Sequence, residues 1–349
     1  MPSNDGYRVG VVGATGAVGS TILEVLEERR FPTSEVVPLA SARSAGTKVP
    51  FRSSELEVRE LTEDSIQGLD IALCSAGGAV SAEWAPKLVE AGAVVVDNTS
   101  YWRMHDDVPL VVVDVNDDAV TSHSGIVANP NCTTMQLMVA IKPILDAAGL
   151  ERLIVSTYQS VSGTGRNAID ELREQSKAVL EGKQAKARVF PHQVAFNILP
   201  QVETFKDGDD YTTEERKVMG ETRKILGLSD EVGISAACAR VPVVTGHSES
   251  VNVQTERDLS PEECRELLTN APGLVVLDDP AEGVYPLATE AVGRDEVFVG
   301  RIRRDPSHER CINLWVVGDN LRKGAATNAV QIAELLHARE LVRVPAAAK

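Results

Sequence analysis

The feature that most restricts this chain is the regular exchange of strand-like and helix-like segments over residues 7–97. YRVGVVGA is β-branched and stops at glycine, STILEVLEERRF has helical periodicity, and EVVPLAS returns to strand. LDIALCSA, VSAEWAPKLVEAG and AVVVDNTS repeat strand, helix, strand. Such crossovers predict a parallel sheet with helices on its faces, since parallel neighbours cannot be joined by a tight hairpin. Ligands of these sheets sit at the carboxyl ends of the strands, so chemistry is expected just after each strand.

From about residue 150 the pattern changes. LIVSTYQSVSG, GISAACARVPVV, ESVNVQTE and CINLWVVGD read as strands, with NAIDELREQSKAVLEG, TEERKVMGETRKILG and SPEECRELLTN as helices between them. This predicts an α+β region on a largely antiparallel or mixed sheet. The length, 349 residues, also exceeds what one ordinary core serves. The expected fold is α/β: a Rossmann-like parallel-sheet domain over residues 1–131, completed by a closing helix within 321–349, and an α+β domain over 132–320. The tail VPAAAK is expected to fray.

Composition narrows the function. The chain is 43% hydrophobic and 25% charged, as globular chains are, with no apolar run near the ~20 residues of a membrane helix. Its start lacks a basic region and its apolar run alternates with glycine, which argues against a signal peptide. Five scattered cysteines without a CxxC pair argue against disulfides or zinc, and fit a cytoplasmic protein without a metal. A formal charge of −16 argues against nucleic acid. Any anionic ligand must then be held by local Arg and Lys side chains.

VGVVGATGAVGS places Gly13, Gly16 and Gly19 after a strand and at the mouth of a helix. Glycines there let the backbone approach a pyrophosphate that the helix N-terminus stabilises, although a plain tight turn would use them too. The second strand ends in Ser41, Ala42, Arg43 and Ser44, where NAD-selective sheets carry an acid. A cation and two hydroxyls suit a 2′-phosphate and hence NADP; an exposed loop arginine is the competing reading.

ANPNCTTMQLMVAIKPILDAAG, residues 128–149, sets Cys132 at the entrance of a helical run. Pro130 pre-sets the turn, Asn129 and Asn131 can cap backbone groups or donate to an oxyanion, and Thr133 and Thr134 can cap the first turn. Unpaired N–H groups and the helix dipole favour a thiolate there, whereas a lone cysteine elsewhere is more often an apolar filler. Of six histidines, His105, His123, His192, His308 and His337 read as solvated. His247 closes CARVPVVTGHSES after a strand, with Arg240 upstream, so one pocket could receive a carboxylate-binding cation and a proton carrier. Arg103, in DNTSYWRM, follows a strand and suits an anion. Glu214 and Lys217 share a helical face and, alone, read as a solvated ion pair.

GATGAVG, SARSAG, DNTSYWRM, NPNCTT, QSVSGTG, EERK, RVPVVTGHSES and DNLRKGAA occur in this order across nearly the whole chain. Together they closely resemble the aspartate-β-semialdehyde dehydrogenase family of the bacterial type. The resemblance implies reduction of L-aspartyl 4-phosphate to L-aspartate 4-semialdehyde by NADPH with release of phosphate, on the route to lysine, threonine and methionine. It implies Cys132 as nucleophile, His247 as acid/base and Gln159 as the group orienting the intermediate. Arg240 matches the α-carboxylate clamp, Glu214 the contact to the amino end, and Arg103 and Lys217 the phosphate site, with Asn131, beside the nucleophile, also counted as substrate-binding. Thr15, Gly16, Ala17, Val18, Arg43, Ser44, Ser162, Gly163 and Asn320 match cofactor contacts, together with Gly13 and Ser41 of the readings above. A homodimer formed through the second domain, or a tetramer, is implied as well.

Ala128 stands where a serine is common before NPNC, and VVVDVN replaces VVPEVN; neither removes a group the chemistry needs. The rival readings are an N-acetyl-glutamyl-phosphate reductase and an inactive NADP-binding paralogue.

Overall fold

The first unit is laid down by short apolar strands, each followed by a turn residue. In the computed structural model, which describes residues 6–343, the chain runs β1 (Tyr7–Val12), α1 (Ala17–Glu28), β2 (Thr33–Ala40), β3 (Lys48–Phe51), β4 (Ser54–Glu57), β5 (Arg59–Glu60), β6 (Ile71–Cys74), α2 (Gly78–Glu90), β7 (Val94–Asp97) and β8 (Ile126–Ala128). Readings of the chain start and of the VPAAAK tail that rest on residues 1–5 and 344–349 lie outside the described residues. The sheet order is β5-β2-β1-β6-β7-β8 with every neighbouring pair parallel. Ile71 and Leu73 of β6 enter one core with Val9, Val11, Ile22 and Leu26, while Ala72 and Cys74 enter another with Val95, Ala85 and Leu88. Burial on both faces is what covered parallel sheets require, at roughly 1.5–3 kcal/mol per large side chain. The order reverses at β1 and β6, so their carboxyl ends open a crevice at the switch point.

The second unit continues with α3 (Cys132–Ala148), β9 (Arg152–Gln159), α4 (Arg166–Leu180), α5 (Thr213–Leu226), β10 (Gly233–Arg240), β11 (His247–Gln254), α6 (Pro261–Thr269), β12 (Leu274–Val276), α7 (Ala288–Ala291), β13 (Val297–Arg304) and β14 (Cys311–Gly318). Its sheet, β10-β9-β11-β14-β13-β12, is mixed: the two outer pairs are parallel and the inner ones antiparallel. The chain then enters α8 (Thr327–Ala338) through a π-type turn at Arg322–Ala326. Ala329, Val330 and Ala333 of α8 join the core of the first sheet. The two compact units are Met1–Asn131 with Ala325–Lys349, and Cys132–Gly324.

Register places side chains in rows across the second sheet. Arg240 pairs with Gln159 and Cys238 with Thr157; Glu249 pairs with Thr157 and with Val316, and His247 with Gly318. One row therefore reads Arg240, Gln159, His247, Gly318, and the next Cys238, Thr157, Glu249, Val316. α3 is buried nearly all round, as a helix inside a domain must be when its sequence is apolar on every side. No helix among the described residues is long and apolar enough to cross a membrane, and among them no cluster of His, Cys, Asp or Glu could hold a metal ion.

Candidate active site

The glycine turn after β1 is built for close approach. Gly13 has φ +88°, open to glycine at little cost. A Cβ on Gly13 would lie 3.0 Å from the Ser75 carbonyl carbon, and one on Gly19 would lie 2.1 Å from the Gly13 oxygen. Gly16 N–H donates to the Gly13 carbonyl and α1 begins without a side-chain cap, leaving first-turn N–H groups for an anion. A cavity of about 400 Å³ beside it is lined by Gly13, Thr15 and Gly16, by Ser41, Arg43 and Ser44 after β2, and by Ser75 and Trp84. Arg43 is exposed in a short 3₁₀ turn. Glu60, from the end of β5, also lines the cavity, an acid the sequence reading did not consider. A bare turn, an uncapped helix start and a cation with hydroxyls one strand away fit a phosphorylated dinucleotide.

In the second unit α3 begins at Cys132, and Cys132 alone of the five cysteines is not buried. Its Sγ lies 3.3 Å from His247 Nε2. The backbone N–H of Ser160 donates to His247 Nδ1 at 3.1 Å. That nitrogen therefore carries no proton, and the neutral ring holds its hydrogen on Nε2, towards the sulfur. His247 is fully buried, and burial first and the Arg240 charge second hold its pKa well below the usual histidine range. Ser160 Oγ and Ser162 Oγ both donate to Asn320 Oδ1, which also accepts from the Gly246 N–H, so this network fixes the turn before His247.

Around this pair stand the other groups of the row. Arg240 Nη1 donates to the Ser160 carbonyl at 2.6 Å while its Nε, buried, has no partner among the described residues. Burial lowers its pKa, opposed by Glu214. A Cβ on Gly163 would meet Arg240 Nη1 and His247 Nε2, each at 3.3 Å, so both side chains converge on a residue that has none. Gln159 Nε2 donates to Glu214 Oε1 at 3.0 Å. Glu214 is 3% exposed and lies 3.6 Å from Lys217, which also pairs with Glu203. The helical pair is thus not the solvated one its spacing suggests, because Gln159 draws the carboxylate into the interior.

Arg103 belongs to the loop after β7. Asp97, wholly buried, accepts from Ser81 Oγ (2.5 Å), the Thr99 N–H (2.8 Å) and Thr99 Oγ1 (2.6 Å), which closes that loop; its pKa is nevertheless raised, burial outweighing these bonds. Arg103 is buried and donates to the carbonyls of Asn129 and Asn98. Asn129 is engaged with Asn98, Ala325 and Asn328 rather than capping α3. His123, read as solvated, is buried, its Nδ1 accepting the Gly125 N–H. His337 accepts from the Tyr7 hydroxyl through its Nδ1 or donates to it, at 2.9 Å.

Both units of the chain match one class of protein, the semialdehyde dehydrogenases. Residues 8–123 match the family model "Semialdehyde dehydrogenase, NAD binding domain" and residues 141–323 match "Semialdehyde dehydrogenase, dimerisation domain". An aspartate-semialdehyde dehydrogenase of Aquifex aeolicus is 56% identical over 95% of this chain and 98% of its own. The solved structure of aspartate semialdehyde dehydrogenase II from Vibrio cholerae, complexed with ASA, superposes with a TM-score of 0.92 at 47% identity, covering 95% of this chain and 98% of that one. The enzyme of Candida albicans with NADP gives 0.73 at 26%, over 96% and 99%. This chain belongs to the aspartate-semialdehyde dehydrogenase family.

Proposed function

We propose that the chain catalyses the NADPH-dependent reductive dephosphorylation of L-aspartyl 4-phosphate to L-aspartate 4-semialdehyde and phosphate, in lysine, threonine and methionine biosynthesis, with Cys132 as nucleophile. The observation that carries this reading is the sulfur at the first residue of α3, 3.3 Å from an imidazole Nε2 whose tautomer is fixed. Relatives from 44% to 56% identical over nearly the full length favour it over the N-acetyl-glutamyl-phosphate and inactive-paralogue readings.

The helix start and the Nε2–H favour the thiolate form of Cys132. The sulfur attacks the acyl carbon, the bond to the phosphate oxygen breaks, and a thioester on Cys132 remains. NADPH, when bound, supplies the hydride that reduces this acyl group. The carbonyl then re-forms as the carbon–sulfur bond breaks, and the expelled thiolate returns to its hydrogen bond from His247 Nε2–H. His247 takes the family's acid/base role through that Nε2 hydrogen, which the neutral ring shares with the sulfur and keeps.

Arg240 takes the α-carboxylate, Glu214 the α-ammonium, and Lys217 the phosphoryl group; the resemblance gives Arg103 the phosphate too. Gln159, held by Glu214, orients the acyl group, and Asn131 lies next to the nucleophile. Gly13, Thr15, Gly16, Ala17 and Val18 would hold the pyrophosphate, Ser41, Arg43 and Ser44 the 2′-phosphate, and Ser162, Gly163 and Asn320 the nicotinamide end. Cytoplasmic residence and a homodimer or homotetramer belong to the same reading. The family's dimerisation model spans all six strands of the second sheet and supports the second unit as the contact.

The test runs the reaction in reverse with aspartate semialdehyde, phosphate and NADP, followed by absorbance of the reduced nicotinamide. Wild type turns over and Cys132→Ala loses about 10⁴-fold or more while still binding NADPH. Retained turnover in Cys132→Ala overturns the nucleophile assignment.

A further inference from the structure

Behind the row that carries His247 lies a second polar row with no role in the chemistry above. Glu249 is wholly buried, and neither carboxyl oxygen has a hydrogen-bond partner among the described residues. Gln136, one helical turn after Cys132, is buried as well; its Nε2 donates to the His247 carbonyl at 3.4 Å, and its Oε1 has no partner. The amide of Gln136 is the polar group that offsets the burial of Glu249, but it makes no aligned bond to either oxygen. Three acceptor oxygens are thus gathered in an interior where an unmet acceptor costs free energy. One proton removes most of this cost: a carboxylic acid donates to Gln136 Oε1, leaving one neutral carbonyl oxygen unmet in place of a buried carboxylate and an amide oxygen, and Gln136 Nε2 remains committed to His247.

We propose that Glu249 is a positioning residue that works as a neutral carboxylic acid, donating to Gln136 so that Gln136 holds the backbone of His247 and keeps Nε2 aimed at Cys132. The proposal rests on the reading of Cys132 and His247 above. Burial alone pushes the Glu249 carboxyl well above the usual carboxylate range, with Gln136 opposing. Among the titratable groups around it, Cys238 on β10 and His247 on β11 share its face of the sheet, Cys132 opens α3, Glu214 and Glu215 come from α5 beside Cys238, and Arg240 stands in the other row. Cys238 is held above its usual range, burial first and Glu214, Glu215 and Glu249 contributing after it. Nothing on these strands supplies a cation that would pair with an ionised Glu249, since Arg240 lies in the other row and bonds Ser160.

The test pairs Glu249→Gln with Glu249→Leu in the full-length protein. The glutamine has an N–H to give to Gln136 and retains most of the wild-type kcat. The leucine has none; it loses on the order of 10–100-fold in kcat, with KM for semialdehyde and phosphate little changed and with the pH profile of kcat displaced. Should Glu249→Gln fall as far as Glu249→Leu, the charge rather than a proton is what matters and the proposal is overturned; so is it if the leucine variant behaves as wild type. Infrared difference spectra of wild type against Glu249→Gln give a readout independent of folding and of the role of His247. A protonated-carboxyl carbonyl band at neutral pH is expected, and a carboxylate band in its place would overturn the proposal even with the Cys132 reading intact.

Discussion

Arg43 stands in a 3₁₀ turn at the rim of the cofactor cavity, exposed, between two serines that line the same wall. Its guanidinium can form charge-assisted bonds to a 2′-phosphate and finds nothing comparable on a 2′-hydroxyl. Arg43→Ala is expected to weaken NADPH about 10–100-fold, the loss of one or two such bonds, and to leave NADH nearly unchanged. Titration of both dinucleotides by fluorescence checks this, and equal losses would place the 2′-phosphate elsewhere. Single residues of this kind are legible from sequence because each follows a strand or opens a helix. Cys132 and Arg43 announce themselves by such positions; His247, read as lying in the turn after a strand, is the first residue of β11. Ser160, Gln136 and Glu249 do not: a serine before a turn, a glutamine inside a helix and a glutamate in a strand are ordinary until register and packing bring them to the imidazole. His123 was misjudged for the same reason, since burial of a polar group depends on partners distant in the chain; Glu214 reads as solvated from spacing alone, and it is the family resemblance that carries it to the substrate.

Among the elements, the glycine turn and α1 form one device. A side chain at position 19 would strike the Gly13 carbonyl, which is backbone and cannot swing aside. Gly19→Ala is expected to cost about 1–3 kcal/mol, read as a lower urea midpoint, and to raise the NADPH dissociation constant by moving the first-turn N–H groups. If both stay at wild-type values, the close helix–turn contact is not what shapes the site. At this scale the alternation over residues 7–97 was legible, and helices α3 to α6 of the second unit fall where their apolar periodicity placed them. α4, for instance, spans Arg166–Leu180 against the stretch NAIDELREQSKAVLEG. The β3–β4 hairpin, strands β5, β8, β12 and β13 and helix α7 were not anticipated. All but β13 are two to four residues long, too short for periodicity to show, and the pairing of the short strands comes from neighbours already in place; β13 runs eight residues, with arginines at its end.

At the scale of the whole molecule, the second sheet presents two different faces. The inward one carries the row of Arg240, Gln159 and His247, the polar row of Glu249 and apolar residues such as Val155, Val251 and Leu314. The opposite face is half-open and built from small residues: Ala237, Ser156 and Ser250 follow one another across three strands, with Trp315 next and Tyr158 5.5 Å from it, ring to ring. A flat face of small side chains with two aromatics suits close sheet-to-sheet packing, about 10 Å between layers, and the family's dimerisation model covers every strand of it. With a formal charge of −16, two copies repel at long range. In the proposed homodimer, association would therefore have to come from this short-range packing rather than from attraction between the chains. Ser156→Arg places a long cation at the middle of the face on both copies, where like charges meet in a desolvated contact. Sedimentation equilibrium should show wild type at twice the chain mass or a multiple of it, and Ser156→Arg shifted towards the single chain. Its thermal unfolding also becomes dependent on protein concentration over a higher range, because a weaker dimer stabilises by mass action only when concentrated. A variant that keeps the wild-type mass would mean that copies meet through another surface, and a wild type that sediments as one chain would remove the dimer itself.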